Sequence, residues 1–168
     1  NEKYLDHESQ SVSPEKEHGD ASAAQSSPES KPGFPQFDAH ILLAEDSEAN
    51  RFIISAVLSN YGIKVTTASD GLEAVEAVRA GNVYDLILMD IQMPNLDGIQ
   101  AARQINGILS HDPHAVKIPI IALTAYSLEG DKQSFLGEGM DDYLGKPLKS
   151  ADFLQILEKW LPGLACND

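Results

Sequence analysis

The chain has 168 residues, 42% of them hydrophobic, which suits one domain with an appendage. Its 26 acidic residues against 12 basic ones give a net charge of -14. That disfavours nucleic acid and anionic membrane surfaces as partners, because both are gripped by clustered Lys and Arg. No apolar run approaches the roughly 18 residues of a spanning helix, and the single cysteine, Cys166, excludes an intrachain disulfide and fits an intracellular setting.

Residues 1–37 contain little that could form a core. The stretch SSPESKPGFP (26–35) is rich in Ser and Pro, and the segment carries seven acids against three bases. It reads as a flexible acidic tail or interdomain linker. The alternative is a short recognition peptide around Phe34 and Phe37. The chain starts at Asn1 rather than Met, which suits a piece of a longer protein, and no secretory signal is visible.

From Asp38 the pattern changes. Apolar runs recur at ILLA (41–44), KVTTA (64–68), DLILM (85–89), IPIIAL (118–123) and DYL (142–144). Helical spacing separates them: Ile53, Ile54, Val57, Leu58 and Tyr61 in the first helix, and Leu72, Ala74, Val75 and Val78 in the second. Asp97 can cap a third helix near Gly98 and Ser127 a fourth, while Phe153, Leu154, Ile156, Leu157 and Trp160 mark a fifth. Strands alternating with helices predict an α/β fold, a doubly wound five-stranded parallel sheet with five helices. The expected division is a tail over 1–37, one domain over 38–162 and a short tail over 163–168.

In open α/β sheets the site lies beyond the carboxyl ends of the strands. Those ends carry a patterned set: Glu45 and Asp46 after the first strand, Asp90 after the third, Thr124 after the fourth, and Lys146 with Pro147 after the fifth. Any one of them could be an ordinary polar loop residue; five at one rim form a constellation. Crowded carboxylates repel one another, and a divalent cation relieves the repulsion. Mg2+ prefers oxygen donors and commonly takes one or two carboxylates. Asp46 and Asp90 are therefore expected as ligands, with Glu45 direct or through water and the backbone carbonyl of Gln92 adding an oxygen. Asp90 can then act as the nucleophile in phosphoryl transfer, with Lys146 neutralising phosphoryl oxygens and Thr124 donating a hydrogen bond.

These residues resemble the receiver domain of two-component response regulators, over about residues 39–161. The resemblance rests on Glu45-Asp46, Asp90 within MDIQMPNLDG, Thr124 within ALTAY, and Lys146-Pro147 within DDYLGKPL. It implies a flavodoxin-like receiver fold in which Asp90 takes a phosphoryl group from a phosphohistidine on a histidine kinase or histidine phosphotransfer protein. It further implies that Lys146 pairs with the phosphoryl group, that the bond before Pro147 is cis, and that Thr124 and Tyr143 act as the switch pair. The altered face would be the fourth helix, fifth strand and fifth helix. The separation of Asp90 and Thr124 exceeds that of a minimal receiver, and the surplus is assigned to ILSHDPHAVK (108–117), read as a loop.

The Glu-Asp pair, MDIQMPNLDG, Asn50-Arg51 and GMDDYLGKPL are similar to receivers fused to hybrid sensor histidine kinases, with no output domain after Trp160. Such a domain is a phosphoacceptor in the cytoplasm, without direct membrane contact, even where its parent kinase (a transferase) is membrane-anchored. A phosphorylation-dependent dimer is left open. A free-standing single-domain response regulator and an unphosphorylated receiver-like interaction module are the alternatives. A haloacid dehalogenase-type phosphatase would need a second Asp where Gln92 stands. A flavodoxin-like cofactor binder would not place AEDSEAN (44–50) against a phosphate. Tyr126 could hinder water attack on the phosphoryl group. His111 and His114 read as a solvated loop, and Asp141 and Asp142 as a solvated turn.

Overall fold

A computed structural model describes residues 33–125 and 135–166. In chain order the elements are β1 (Gln36–Phe37), β2 (His40–Ala44), α1 (Glu48–Asn60), β3 (Lys64–Ala68), α2 (Gly71–Arg79) and β4 (Leu86–Asp90). They continue with α3 (Gly98–His111), β5 (Ile120–Thr124), β6 (Asp142–Gly145), α4 (Ser150–Trp160) and β7 (Ala165–Cys166). The five longer strands form one parallel sheet in the order β3-β2-β4-β5-β6. Chain progression reverses between β2 and β4, so the ends of those two neighbouring strands frame the switch point of the sheet.

The two central strands β4 and β5 are buried at every residue. Their side chains alternate between two cores, as the period of a strand requires. Leu42, Ala44, Ile87, Met89, Ile120 and Ala122 face one cluster with Val75, Ala101 and Ile105 from α2 and α3. Ile41, Leu43, Leu86, Leu88, Ile121 and Leu123 face the other, with Ile54, Leu58, Phe153 and Leu157 from α1 and α4. A sheet covered on both faces explains the unbroken apolar runs.

Three helices begin on side-chain caps that stand in the sequence: Ser47 for α1, Asp70 for α2 and Asp97 for α3 each accept from the backbone N–H three residues on. The fifth predicted helix is α4. The start of the fourth, with its Ser127 cap, lies outside the described residues, as does Tyr126, while Phe135 and Leu136 are helical.

Several expectations are corrected. Ile53 and Leu72 fit the apolar stripes by spacing but are 59% and 48% exposed. The segment 108–117 is not all loop, because α3 continues to His111. Asp141 and Asp142 are not merely solvated. Asp141 accepts from the Ile120 backbone N–H and pairs with Lys117, while Asp142 begins β6 and accepts from Trp160 Nε1 at 3.0 Å and from Lys159.

The ends of the described chain also pack. Gln36 and Phe37 pair antiparallel with Ala165 and Cys166, the Asp38 N–H donates to the Leu164 carbonyl at 2.8 Å, and the Phe37 N–H donates to the Tyr61 carbonyl at 2.8 Å. Phe37 is 2% exposed and belongs to the α1–α4 core. Its two-residue strand was not visible locally because its partner lies at the opposite end of the chain. Phe37→Ala is expected to lower the unfolding free energy by about 3 kcal/mol, the cost of emptying a buried aromatic site. Chemical denaturation measures it, and a loss below about 1 kcal/mol would place the β1–β7 ribbon outside the cooperative unit.

Candidate functional site

Glu45 leaves the end of β2, Asp90 is the last residue of β4, Thr124 the last of β5, and Lys146 follows β6. Parallel register brings these ends level: Ala44 stands opposite Met89, Asp90 opposite Leu123, and Thr124 opposite Gly145. The Lys146 N–H donates to the Thr124 carbonyl at 2.7 Å, which ties the last two strand ends together. The Lys146–Pro147 bond is cis.

The centre of the rim is one ammonium shared by two carboxylates. Lys146 Nζ lies 2.7 Å from Asp90 Oδ2 and 2.9 Å from Glu45 Oε2. Asp90 and Glu45 are 5% and 1% exposed, and Thr124 is as deeply buried as Glu45. Asp46 is exposed, yet one carboxylate oxygen from each of Glu45, Asp46 and Asp90 can be chosen so that all lie within 4.8 Å. The Gln92 side chain is exposed and its N–H donates to Asp90 Oδ1 at 3.1 Å. Tyr143 lies on β6, one strand beyond Thr124. It is partly buried in β6 opposite Ala122 and packs on the α2–α3 core. His111 and His114 are exposed at the far end of α3 and beyond it.

Burial raises the proton affinity of both inner carboxylates, but the balance differs. For Asp90 burial and the charge of Glu45 outweigh the hydrogen bonds from Lys146 and the Gln92 N–H, so its pKa sits above the ordinary carboxylate value. For Glu45 burial again pushes upward, yet the Lys146, Asn50 and Ser47 donors together hold the carboxyl below its usual value. Burial alone would depress Lys146, and the two carboxylates reverse this and raise it. Of the two buried carboxylates, Asp90 is thus the one whose negative charge is less compensated. An additional cation would relieve it. The donors around it are all oxygens, which suits Mg2+ rather than a softer metal.

Asn50 and Arg51 have roles that the linear pattern did not assign. Asn50 Nδ2 donates to Glu45 Oε1 at 3.0 Å, and Arg51 Nη1 donates to the Glu45 and Asp46 carbonyls at 2.6 and 2.9 Å. The first turn of α1 therefore folds back over the acidic loop and fixes it. Their position one turn beyond the acidic pair was the available signal, and it becomes readable only once the helix start is placed.

A cleft of about 200 Å³ opens beside the triad, lined by Glu45, Asn50, Ile53, Ile54, Lys146, Pro147 and Leu148. Phe52, also on α1, is 76% exposed.

Residues 41–158 match the model of the response regulator receiver domain. The sensor histidine kinase GacS of Pseudomonas protegens is 38% identical over 128 residues, covering 76% of this chain and 14% of the relative. The signal transduction histidine-protein kinase BarA of Escherichia coli is 38% identical over 123 residues, covering 73% and 13%. The chain therefore spans about one seventh of these curated relatives. Among solved structures, the receiver domain of sensor histidine kinase PA1611 from Pseudomonas aeruginosa, with a magnesium ion coordinated in its active site cleft, is 42% identical. Its TM-score is 0.65, and the match covers 74% of this chain and 98% of that one. The receiver domain of the Saccharomyces cerevisiae response regulator Ssk1, co-crystallised with the histidine phosphotransfer protein Ypd1, is 32% identical with a TM-score of 0.68, covering 80% and 95%.

The electrostatics of Asp90 have a measurable consequence. Its folded pKa lies above its unfolded one, so the ionised carboxylate opposes folding. The penalty is full above the folded pKa and absent below the unfolded one. In magnesium-free buffer at neutral pH, Asp90→Asn is expected to melt no lower than the wild type. Any advantage of the variant should shrink as pH falls through the carboxylate range. A variant markedly less stable at pH 7 would mean that the Lys146 bond outweighs burial.

Proposed function

The chain belongs to the response regulator receiver domain family, and from that premise we propose that Asp90 is its phosphoacceptor and Glu45, Asp46, Asp90 and the Gln92 carbonyl its Mg2+ site. The observation that carries the reading is the shared Lys146 ammonium, which holds the buried Asp90 carboxylate at the sheet switch point. In the reaction an Asp90 oxygen attacks the phosphorus of a phosphohistidine. A P–O bond forms, the P–N bond breaks, and the imidazole leaves with the electron pair. Mg2+, when bound, supplies positive charge to the phosphoryl oxygens and to the carboxylates that surround them. Lys146 donates to one phosphoryl oxygen and Thr124 to another. Once the phosphoryl group has engaged Thr124, that residue and Tyr143 form the switch pair that carries the change toward β6 and α4.

Residues 38–162 are proposed as the body of the receiver unit, with the Gln36–Phe37 and Ala165–Cys166 ribbon packed on it and an acidic linker before it, and the unit is assigned to the cytoplasmic part of a hybrid sensor histidine kinase. No described helix is long and apolar enough to cross a membrane. The proposed donor is a protein that presents a phosphohistidine on a helical surface. Two exposed apolar side chains support α1 as its landing site: Ile53, which lines the cleft that leads to Lys146, and Phe52, its neighbour in sequence.

Intact-mass measurement after incubation with acetyl phosphate tests the chemistry. The expected result is one magnesium-dependent, hydroxylamine-sensitive phosphoryl adduct, absent in Asp90→Asn. An adduct retained in that variant, or none in the folded wild type, would overturn the assignment. Lys146→Ala is expected to slow labelling by about a hundred-fold, the usual effect of losing one charge-stabilising donor. Phe52→Ala should leave acetyl-phosphate labelling unchanged but slow transfer from a phosphohistidine protein by about five-fold, the scale of a modest interface hot spot. Equal rates with both donors would move the docking site off α1.

A further inference from the structure

We infer that Asp70 and Asn95 form a latch that sets the metal-binding geometry of the loop after Asp90. The inference rests on the magnesium site proposed above. The loop, residues 91–97, carries Gln92 and connects β4 to α3. Its near end is fixed to its own strand. The Gln92 N–H donates to Asp90 Oδ1 at 3.1 Å, and the Gly98 N–H donates to the Ile91 carbonyl at 3.0 Å. Gly98 is required there, since a Cβ would lie 2.1 Å from the Asp90 carbonyl oxygen.

The far end of the loop is fixed to a different element. Asn95 adopts φ 64°, a conformation that Asn tolerates better than most residues. From there Nδ2 donates to Asp70 Oδ2 at 2.6 Å. The other oxygen of Asp70 accepts from the Glu73 N–H at 2.9 Å as the α2 cap, and the Glu73 carboxylate accepts from the Ser69 N–H at 2.7 Å. The bond from the Glu73 N–H holds one oxygen of the Asp70 carboxylate on α2, and its second oxygen faces the loop. Beside this bond the backbones meet: a Cβ at Gly71 would lie 2.3 Å from the Leu96 carbonyl oxygen.

These contacts give Asp70 a role beyond capping. An ordinary cap uses one oxygen on its own helix, whereas Asp70 uses its second on a loop that is remote in sequence and adjacent to the phosphoacceptor. Asp70 and Asn95 touch neither metal nor phosphoryl group and act as positioning residues. Outer partners of this kind tune metal affinity through the ligands they hold.

Three variants separate the latch from the cap and from charge. Asn95→Gly removes the donor at an exposed position where glycine adopts positive φ freely. Asp70→Ser keeps a good cap but lacks the second oxygen. Asp70→Asn removes the charge and keeps the cap, and its Nδ2 donates to Asn95 Oδ1 once the Asn95 amide flips. Mg2+ affinity is measured by calorimetry, beside melting in magnesium-free buffer. Asn95→Gly and Asp70→Ser are expected to weaken Mg2+ binding by about five-fold, Asp70→Asn by less than about two-fold. Melting of Asn95→Gly should stay close to wild type.

Wild-type Mg2+ affinity in Asn95→Gly overturns the latch. So does an effect that appears only as lowered melting. If Asp70→Ser does not fold, Asn95→Gly decides alone. A wild type that binds no Mg2+ removes the proposed function first and the latch with it, so the two failures are distinguishable.

Discussion

Two buried carboxylates at adjacent strand ends cannot both stay ionised without a cation, and the rest of the site is arranged around that constraint. Lys146 supplies the cation within the chain, bonding Asp90 and Glu45 together. It reaches them from the end of β6, where its own N–H donates to the Thr124 carbonyl. Glu45 receives further donors from Asn50 and Ser47, while Asp90 receives only the Gln92 N–H besides Lys146 among its described partners. The asymmetry leaves Asp90 the more basic of the two carboxylates. It also gives a divalent ion something to relieve.

The scaffold keeps this expensive arrangement in place. Strands β4 and β5 are buried along their whole length between two cores, so Asp90 and Thr124 stand on rigid supports. The connecting loops are held by side chains rather than by core packing: Arg51 grips the carbonyls of the acidic loop, and Asn95 joins the following loop to α2. A receiver must let its site rearrange around a phosphoryl group, and polar clasps exchange partners more readily than a packed core does. On α1, Ile53 is an exposed apolar side chain that lines the cleft beside Lys146.

Much of this was legible in the linear order. The three central strands were apolar runs, and the cap Asp97 stood where a helix begins, because these signals are local. Glu45, Asp90, Thr124 and Lys146 were identifiable together since each follows or ends such a run. Ile53 misled for a physical reason: helical spacing marks a stripe but not its width, and a side chain at its edge can face a partner instead of the core. Phe37 misled in the opposite sense, since a lone apolar residue in a polar segment gives no period. Asp141 and Asp142 looked like turn residues until Lys117, Lys159 and Trp160 were brought to them by the fold.

The sequence by itself therefore determined the fold class, the address of the site and the chemical identity of its members. Periodicity, capping and the polar residues at strand ends are properties of neighbouring positions. Tertiary structure decided which oxygens share the ammonium, which carboxylate is left short of donors, and which side chains hold the loops. Those depend on strand order and parallel register, which bring residues as distant as Glu45 and Lys146 within hydrogen-bond reach. Proton affinity follows from burial and from the count of donors at a few ångströms, and neither exists until the strands are side by side.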